Sequence, residues 1–288
     1  MFFKQIKKVA KETATKIEMT VTTRLALSVG WMYGFWISRV VNDVTIIGKE
    51  NIPNRRKVVL VSTHRNLIDS FYLGSIICRP RDIFLKYWRI PWNTPEESNF
   101  FGNKFFYWLF SRLKNIPIAR PLGKLGTKKM LKQLAEVGQK LALGDTVLMF
   151  LTGTRVDDGQ IGECKSGIAE IIYDHKPVVI PVFLDNVQRI MPKDVGFDFF
   201  WPLFPFIIKL KFKPKFELKF NPKFKLSFRP NFKLKIIIKP RVKGLVVIGK
   251  PIVFNGVLDK PKNGQTRKEI RQTLEQALRD LQNKTLAA

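Results

Sequence analysis

The sequence is poor in histidine, cysteine and acid. Its 288 residues include two histidines, His64 and His175, and two cysteines, Cys78 and Cys164. Two isolated cysteines exclude a disulfide framework, and a reducing compartment is the expected setting. No metal site is suggested, because His175 in "YDHKP" lacks nearby ligand partners; it reads as a surface or structural residue. Asp and Glu total 23 against 51 Lys and Arg, giving a formal net charge of +28. That imbalance favours a polyanionic partner: nucleic acid, an anionic membrane surface or phosphorylated substrates. A secretory signal is also missing, since "MFFKQIKKVAKETATK" is basic but has no apolar h-region or cleavage site.

Aromatics are plentiful, with 24 Phe and 6 Trp, so the chain is no disordered basic tail. Strong positive charge beside aromatics points to a membrane interface rather than to a reader of DNA. No nucleic-acid partner is expected. Phe2, Ile6, Val9, Ala10 and Ile17 recur at helical spacing with lysines on the other faces. The uncharged run Leu25 to Ser38, between Arg24 and Arg39, spans about 21 Å as a helix, short of a hydrocarbon core of about 30 Å. Residues 1–43 are therefore expected to form a pair of helices lying in one leaflet, with Trp31, Tyr33 and Trp36 at headgroup level. A short span with snorkelling arginines and a helix covering the protein's own core are the alternatives.

From residue 44 strand and helix signals alternate. Residues 58–62, 82–86, 115–119, 146–151 and 177–184 read as strands. Residues 124–143 read as a helix with a stripe of Met130, Leu131, Leu134, Val137 and Leu141 that Gly144 stops. Residues 167–174 read as another. A last helix opens on a capping box, Thr266 and Glu269, with Ile270, Leu274, Leu278 and Leu281 as its stripe. The pattern predicts an α/β fold: a mostly parallel central sheet flanked by helices.

Residues 210–242 break that rhythm. Every even position is apolar or proline, and every odd position but Ile237 is polar, inside an eight-residue repeat, "LKFKPKFE", "LKFNPKFK", "LSFRPNFK". Thirteen Lys or Arg face one acid, Glu217, between Lys209 and Lys243. Period two predicts a β-rich insert with one greasy and one cationic face. Short edge strands or a curling repeat are expected, with Pro214, Pro222 and Pro230 at bends or open edges. The greasy face either caps the core or, like the cationic face, meets a membrane.

Chemistry concentrates at "THRNLID". His64 ends the apolar run 58–62, and Asp69 follows five residues later. On one helix these positions are about 500° apart; a loop-to-helix entry can bring the carboxylate to one imidazole nitrogen. Asp69 then fixes the tautomer, and His64 is left to take a proton from a hydroxyl. A helix cap beside a satisfied core histidine gives the same spacing. Farther on, "FLTGTR" places Gly153, Thr154 and Arg155 at the C-terminal end of strand 146–151, where open α/β sheets bind ligands.

These blocks resemble, in order, the glycerolipid acyltransferase family of lysophosphatidate and glycerol-phosphate acyltransferases. The family carries His, four residues, Asp; a block ending in a basic residue, matched by "NIPIARP" with Arg120; Phe-Pro-Glu-Gly-Thr-Arg, matched by "FLTGTR"; and a Val-Ile-Pro-Val strand, matched by "VVIPVF" with Pro181. The resemblance covers residues 44–184 and 244–285 and does not include the Lys–Phe repeat. It implies an acyltransferase domain over 44–285, carrying residues 197–243 as an insert. His64 would be the base and Asp69 its orienting partner. Arg120, Thr152, Gly153, Thr154 and Arg155 would bind the acceptor. The implied reaction moves an acyl chain from a thioester donor, acyl-CoA or acyl carrier protein, to a lysophospholipid hydroxyl, with 1-acylglycerol-3-phosphate the expected acceptor. No cofactor beyond that co-substrate is implied. Anionic membrane lipid is the expected partner, at the cytoplasmic face, with peripheral or monotopic attachment. The family's Glu is Thr152 here, its Pro is Leu151 and its Asn before the histidine is Thr63. A catalytically degenerate lipid-binding homologue is accordingly the alternative.

Overall fold

The computed structural model describes residues 2–156, 160–192, 206–219, 225–238 and 240–286. A six-stranded sheet stands at its centre. The strands are β1 (Asp43–Ile47), β2 (Val58–Ser62), β3 (Trp92–Asn93), β4 (Thr146–Phe150), β5 (Val178–Asp185) and β8 (Lys243–Ile248), in the order β1-β8-β5-β2-β4-β3. Four of the five pairings are parallel, and β5 against β8 is antiparallel. Every residue of β2 is buried, as expected of a strand covered on both faces.

Alternation along β2 divides the core. Val58 and Leu60 face one layer, made by α1 (Phe2–Phe35), a π-helical turn (Trp36–Val41), α2 (Asp69–Ile77) and α3 (Asp82–Leu85). Val59 and Val61 face the other, made by α6 (Gly123–Ala142), α7 (Ser166–His175) and α8 (Gly264–Leu286). Between β3 and α6 run two shorter helices, α4 (Glu97–Phe100) and α5 (Lys104–Arg112). Gly144 ends α6 at φ +87°, a conformation glycine adopts without Cβ strain. On α6, Leu134, Val137 and Leu141 are buried, whereas Leu131 is exposed. On α8, Ile270, Leu274 and Leu278 are fully buried.

Several expectations need correction. Residues 82–86 are not a strand: Asp82 accepts from the Arg79 amide and opens the short helix α3. An apolar run this short does not discriminate strand from helix. Residues 115–119 are extended, but meet the sheet edge only through bridges of Asn115 to Asn93 and Ile118 to Glu96. The cap of α8 is Asn263, whose side chain accepts from the Thr266 amide, while Glu269 is drawn to Lys260. His175 is structural, its ring seated against Gly138 of α6. Both thiols are free and buried in different layers, and burial pushes each up to about 12.

The N-terminal segment is one continuous helix rather than a pair. Trp31 donates its indole N–H to the Cys78 carbonyl at 3.0 Å, and Tyr33 packs edge-on against Phe71, so two of the three expected headgroup aromatics are tied to α2 and its end. Leu27 and Ile37 are buried in the core, so this part of the segment does cover the protein's own interior. Its other side exposes Val21, Leu25, Val29, Met32 and Trp36 at helical spacing. Among the described residues, no helix is long and apolar enough to cross a membrane.

The repeat forms β6 (Phe206–Lys219) and β7 (Lys225–Ile238), a separate two-stranded antiparallel sheet. Its strands are long, not short. Pro214 stands directly opposite Pro230. In a two-stranded ribbon alternate residues point their N–H away from the partner, and proline fits the ladder only there. Pro222 lies outside the described residues.

α1 approaches α2 closely because Gly34 has no side chain; a Cβ there would run into the Phe71 carbonyl. Gly34→Ala is expected to cost about 1–3 kcal/mol as backbone and helix are forced apart. Thermal unfolding of the purified chain checks this, and an unchanged midpoint would mean that the helix is free to shift.

Candidate active site

The parallel register of β2 and β4 pairs Ser62 with Phe150, so the loops leaving both strands emerge side by side. Backbone bonds lock them: Leu151 N–H donates to the Ser62 carbonyl at 2.8 Å, and Val156 N–H to the His64 carbonyl at 3.0 Å. The loop after β2 is also tied to β5, whose Leu184 amide donates to the Thr63 hydroxyl at 2.9 Å. Thr63 thus holds a structural contact at the position where an asparagine was expected. Arg65 and Asn66 extend the tie through the carbonyls of Val156 and Val187.

His64 Nδ1 lies 2.9 Å from Asp69 Oδ2. Asp69 is fully buried at the first position of α2. Its Oδ2 also accepts the amides of Arg65 and Asn66, at 2.7 and 2.8 Å, and its Oδ1 accepts the Tyr72 hydroxyl. Burial first, and the neighbouring Asp69 charge second, push the Tyr72 phenol well above its ordinary value, so it stays a donor. The loop-to-helix entry required by the spacing is what forms. With Nδ1 engaged, Nε2 is the nitrogen left to exchange a proton. The ring stacks on Phe150, centroids 4.1 Å apart, and is 16% exposed.

His64 lines a cavity of about 920 Å³ that also takes in Arg120, Thr152, Gly153, Thr154 and Arg155. Asp69 stands behind His64 rather than in the cavity wall. The site residues expected from sequence are therefore brought together from three separate loops. Arg120 is engaged: its guanidinium forks onto Glu96, whose carboxylate also accepts the Ser98 hydroxyl. Burial raises the Glu96 carboxyl, but these hydrogen bonds and the Arg120 charge outweigh it and hold it below the ordinary value. Arg155 carries a buried Nη1 with no hydrogen-bond partner among the described residues. An unpaired buried guanidinium donor beside a cavity is costly unless a ligand completes it. Thr152 differs from its neighbours. It is buried, and its hydroxyl donates to the Thr154 carbonyl at 2.5 Å, closing the loop from within. Gly153 takes φ +65° in that turn.

Apolar side chains line the same cavity, among them Leu27 and Trp31 of α1, Phe71 of α2 and Phe110 of α5. One site thus joins a proton acceptor, cationic groups and a greasy compartment. Sequence reasoning missed Tyr72, Phe150 and Glu96. Tyr72 sits three residues after Asp69 on the same helix face, so the spacing could have found it. Glu96 comes from a distant loop and carries no such signal.

Comparison with known proteins follows the same lines. A family model described as Acyltransferase matches residues 43–185. The chain is 30% identical over 163 residues to the 1-acyl-sn-glycerol-3-phosphate acyltransferase of Pseudomonas aeruginosa, covering 56% of this chain and 57% of that protein. It is 25% identical over 150 residues to the chloroplastic 1-acyl-sn-glycerol-3-phosphate acyltransferase LPAT1 of Arabidopsis thaliana, covering 52% of this chain and 38% of that one. The chain thus aligns with little more than half the length of the first relative and less of the second. The fold is similar to the crystal structure of the 1-acyl-sn-glycerophosphate acyltransferase PlsC from Thermotoga maritima, with a TM-score of 0.54 at 17% identity, covering 88% of this chain and 79% of that one.

Tyr72→Phe leaves Asp69 Oδ1 without its hydroxyl donor in a buried setting. A loss of about 1–3 kcal/mol is expected, read as a lower urea midpoint at unchanged slope. An unshifted midpoint would show that the hydroxyl contributes nothing to holding the carboxylate.

Proposed function

Because residues 43–185 belong to the glycerolipid acyltransferase family, we propose that this protein transfers an acyl chain from a thioester to the free hydroxyl of 1-acylglycerol-3-phosphate. The observation that carries this reading is the His64–Asp69 pair at a cavity shared with Arg120 and Arg155. His64 Nε2 takes the acceptor's hydroxyl proton as its oxygen attacks the thioester carbonyl; the thiolate leaves and the proton follows it. Asp69 holds the imidazole in one tautomer and stabilises imidazolium.

The acceptor phosphate is bound by Arg155, whose Nη1 has no partner among the described residues, and by Arg120. On Arg120 the incoming phosphate displaces Glu96, since a phosphate offers the same bidentate geometry with more charge. Gly153, Thr154 and the inward hydroxyl of Thr152 shape the loop that presents Arg155. The apolar lining of the cavity, Leu27, Trp31, Phe71 and Phe110, suits an acyl tail. Coenzyme A and acyl carrier protein both suit the cationic chain as anionic donors. The reaction is placed at the cytoplasmic membrane surface. The exposed apolar stripe of α1 and the exposed Phe105, Tyr107 and Trp108 of α5 support that placement without a crossing helix.

Purified full-length protein in detergent, given lysophosphatidate and each thioester, is expected to yield the diacyl product by mass. His64→Ala should lower turnover by about a thousandfold. Intact turnover in that variant would sink the assigned base, and a wild type inert with every donor would establish a binding homologue without turnover. Arg120→Ala and Arg155→Ala are each expected to raise KM for the phosphate acceptor by about tenfold or more, with a smaller effect on an acceptor lacking phosphate. Equal effects on both acceptors would remove the phosphate from these side chains.

A further inference from the structure

Besides His64, four charged side chains of the described residues line the cavity: Glu96, Arg120, Arg155 and Lys165. Lys165 lies outside the motif blocks, on the loop that leads into α7. Its amide donates to the Leu151 carbonyl at 3.0 Å, just past the end of β4. Its side chain crosses the turn that presents Arg155: a Cβ on Gly153 would meet the Lys165 Cγ at 3.6 Å. The residue is exposed, so its stem packs along the wall while the ammonium keeps access to water.

The charges of this wall do not cancel. Glu96 is spent on Arg120. Among the described residues, no other carboxylate lines the cavity to meet Arg155 or Lys165. Asp69 stands behind His64 and is common to every acceptor. Three cations against one carboxylate leave a surplus of two positive charges. A phosphomonoester carries about −1.5 to −2 near neutral pH, which matches that surplus. A phosphodiester carries a single charge, and a neutral glyceride none. Attraction grows in proportion to ligand charge, so one added cation acts on a dianion with about the square of its effect on a monoanion. The effect of Lys165 is therefore largest on the doubly charged headgroup.

We propose that Lys165 is a specificity-determining cation of the acceptor site, raising the surplus from one charge to two and so selecting a phosphomonoester over a phosphodiester or an uncharged headgroup. This rests on the placement of the acceptor phosphate at Arg120 and Arg155. The two arginines supply forked hydrogen bonds, and the lysine supplies a point charge.

The test titrates full-length protein, in an uncharged detergent, with lysophosphatidate, lysophosphatidylglycerol and monoacylglycerol of one chain length. Binding is read from tryptophan emission, since Trp31 lines the cavity, and turnover separately from product mass. The wild type is expected to bind the three in that order of strength. Lys165→Gln should weaken lysophosphatidate about tenfold and lysophosphatidylglycerol about threefold, with monoacylglycerol unchanged. Lys165→Arg keeps the charge and should bring both anions back to within about twofold of wild type. Undiminished lysophosphatidate binding in Lys165→Gln overturns the proposal. Equal weakening of all three acceptors does so too, because it marks a structural role, as does Lys165→Arg binding no better than Lys165→Gln. A wild type that shows the binding order and its dependence on Lys165 but forms no product removes acyl transfer and leaves the charge match standing.

Discussion

A carboxylate out of water is tolerable only where donors surround it, and Asp69 is such a carboxylate. It is fully buried, and four donors converge on it: the His64 ring, two backbone amides and the Tyr72 hydroxyl. Burying an unpaired charge of this kind costs several kcal/mol. The loop 64–68 has one way to avoid that cost, which is to wrap its amides around the side chain. The same wrapping fixes the imidazole. Fold stability and chemical readiness therefore rest on one set of bonds.

The parallel sheet extends the arrangement outward. Because β4 runs beside β2 in the same direction, the turn bearing Gly153 and Arg155 leaves the sheet next to His64. Arg120 reaches the same space from the extended segment after α5, held meanwhile by Glu96. α1 contributes Leu27 and Trp31 to the lining of the same cavity. A helix that exposes apolar residues on its outer side thus also lines the cavity.

Thr152 stands where the resembled family pattern carries a glutamate. Where a carboxylate was expected, a hydroxyl turns inward and bonds the loop's own Thr154 carbonyl. A hydroxyl there brings no negative charge to the loop that bears Arg155. Glu96, on another loop, carries a carboxylate paired with Arg120.

The sequence by itself determined the layered α/β class and the strands 58–62, 146–151 and 177–184 to within a residue or two, and it marked His64 and Asp69 as a candidate pair. Runs of β-branched residues have one good solution when both faces are covered, and a charged residue next to a histidine at a strand end has few reasons to be there. Tertiary structure alone decided the helical state of 82–85, the Asn263 cap, the burial of Thr152 and the Glu96–Arg120 fork. Each depends on partners distant in sequence or on space left by neighbouring side chains, and short apolar runs or lone polar residues carry no local record of either. The Lys–Phe repeat lies between the two: its period wrote the two faces, but only the hairpin register set lysine opposite lysine.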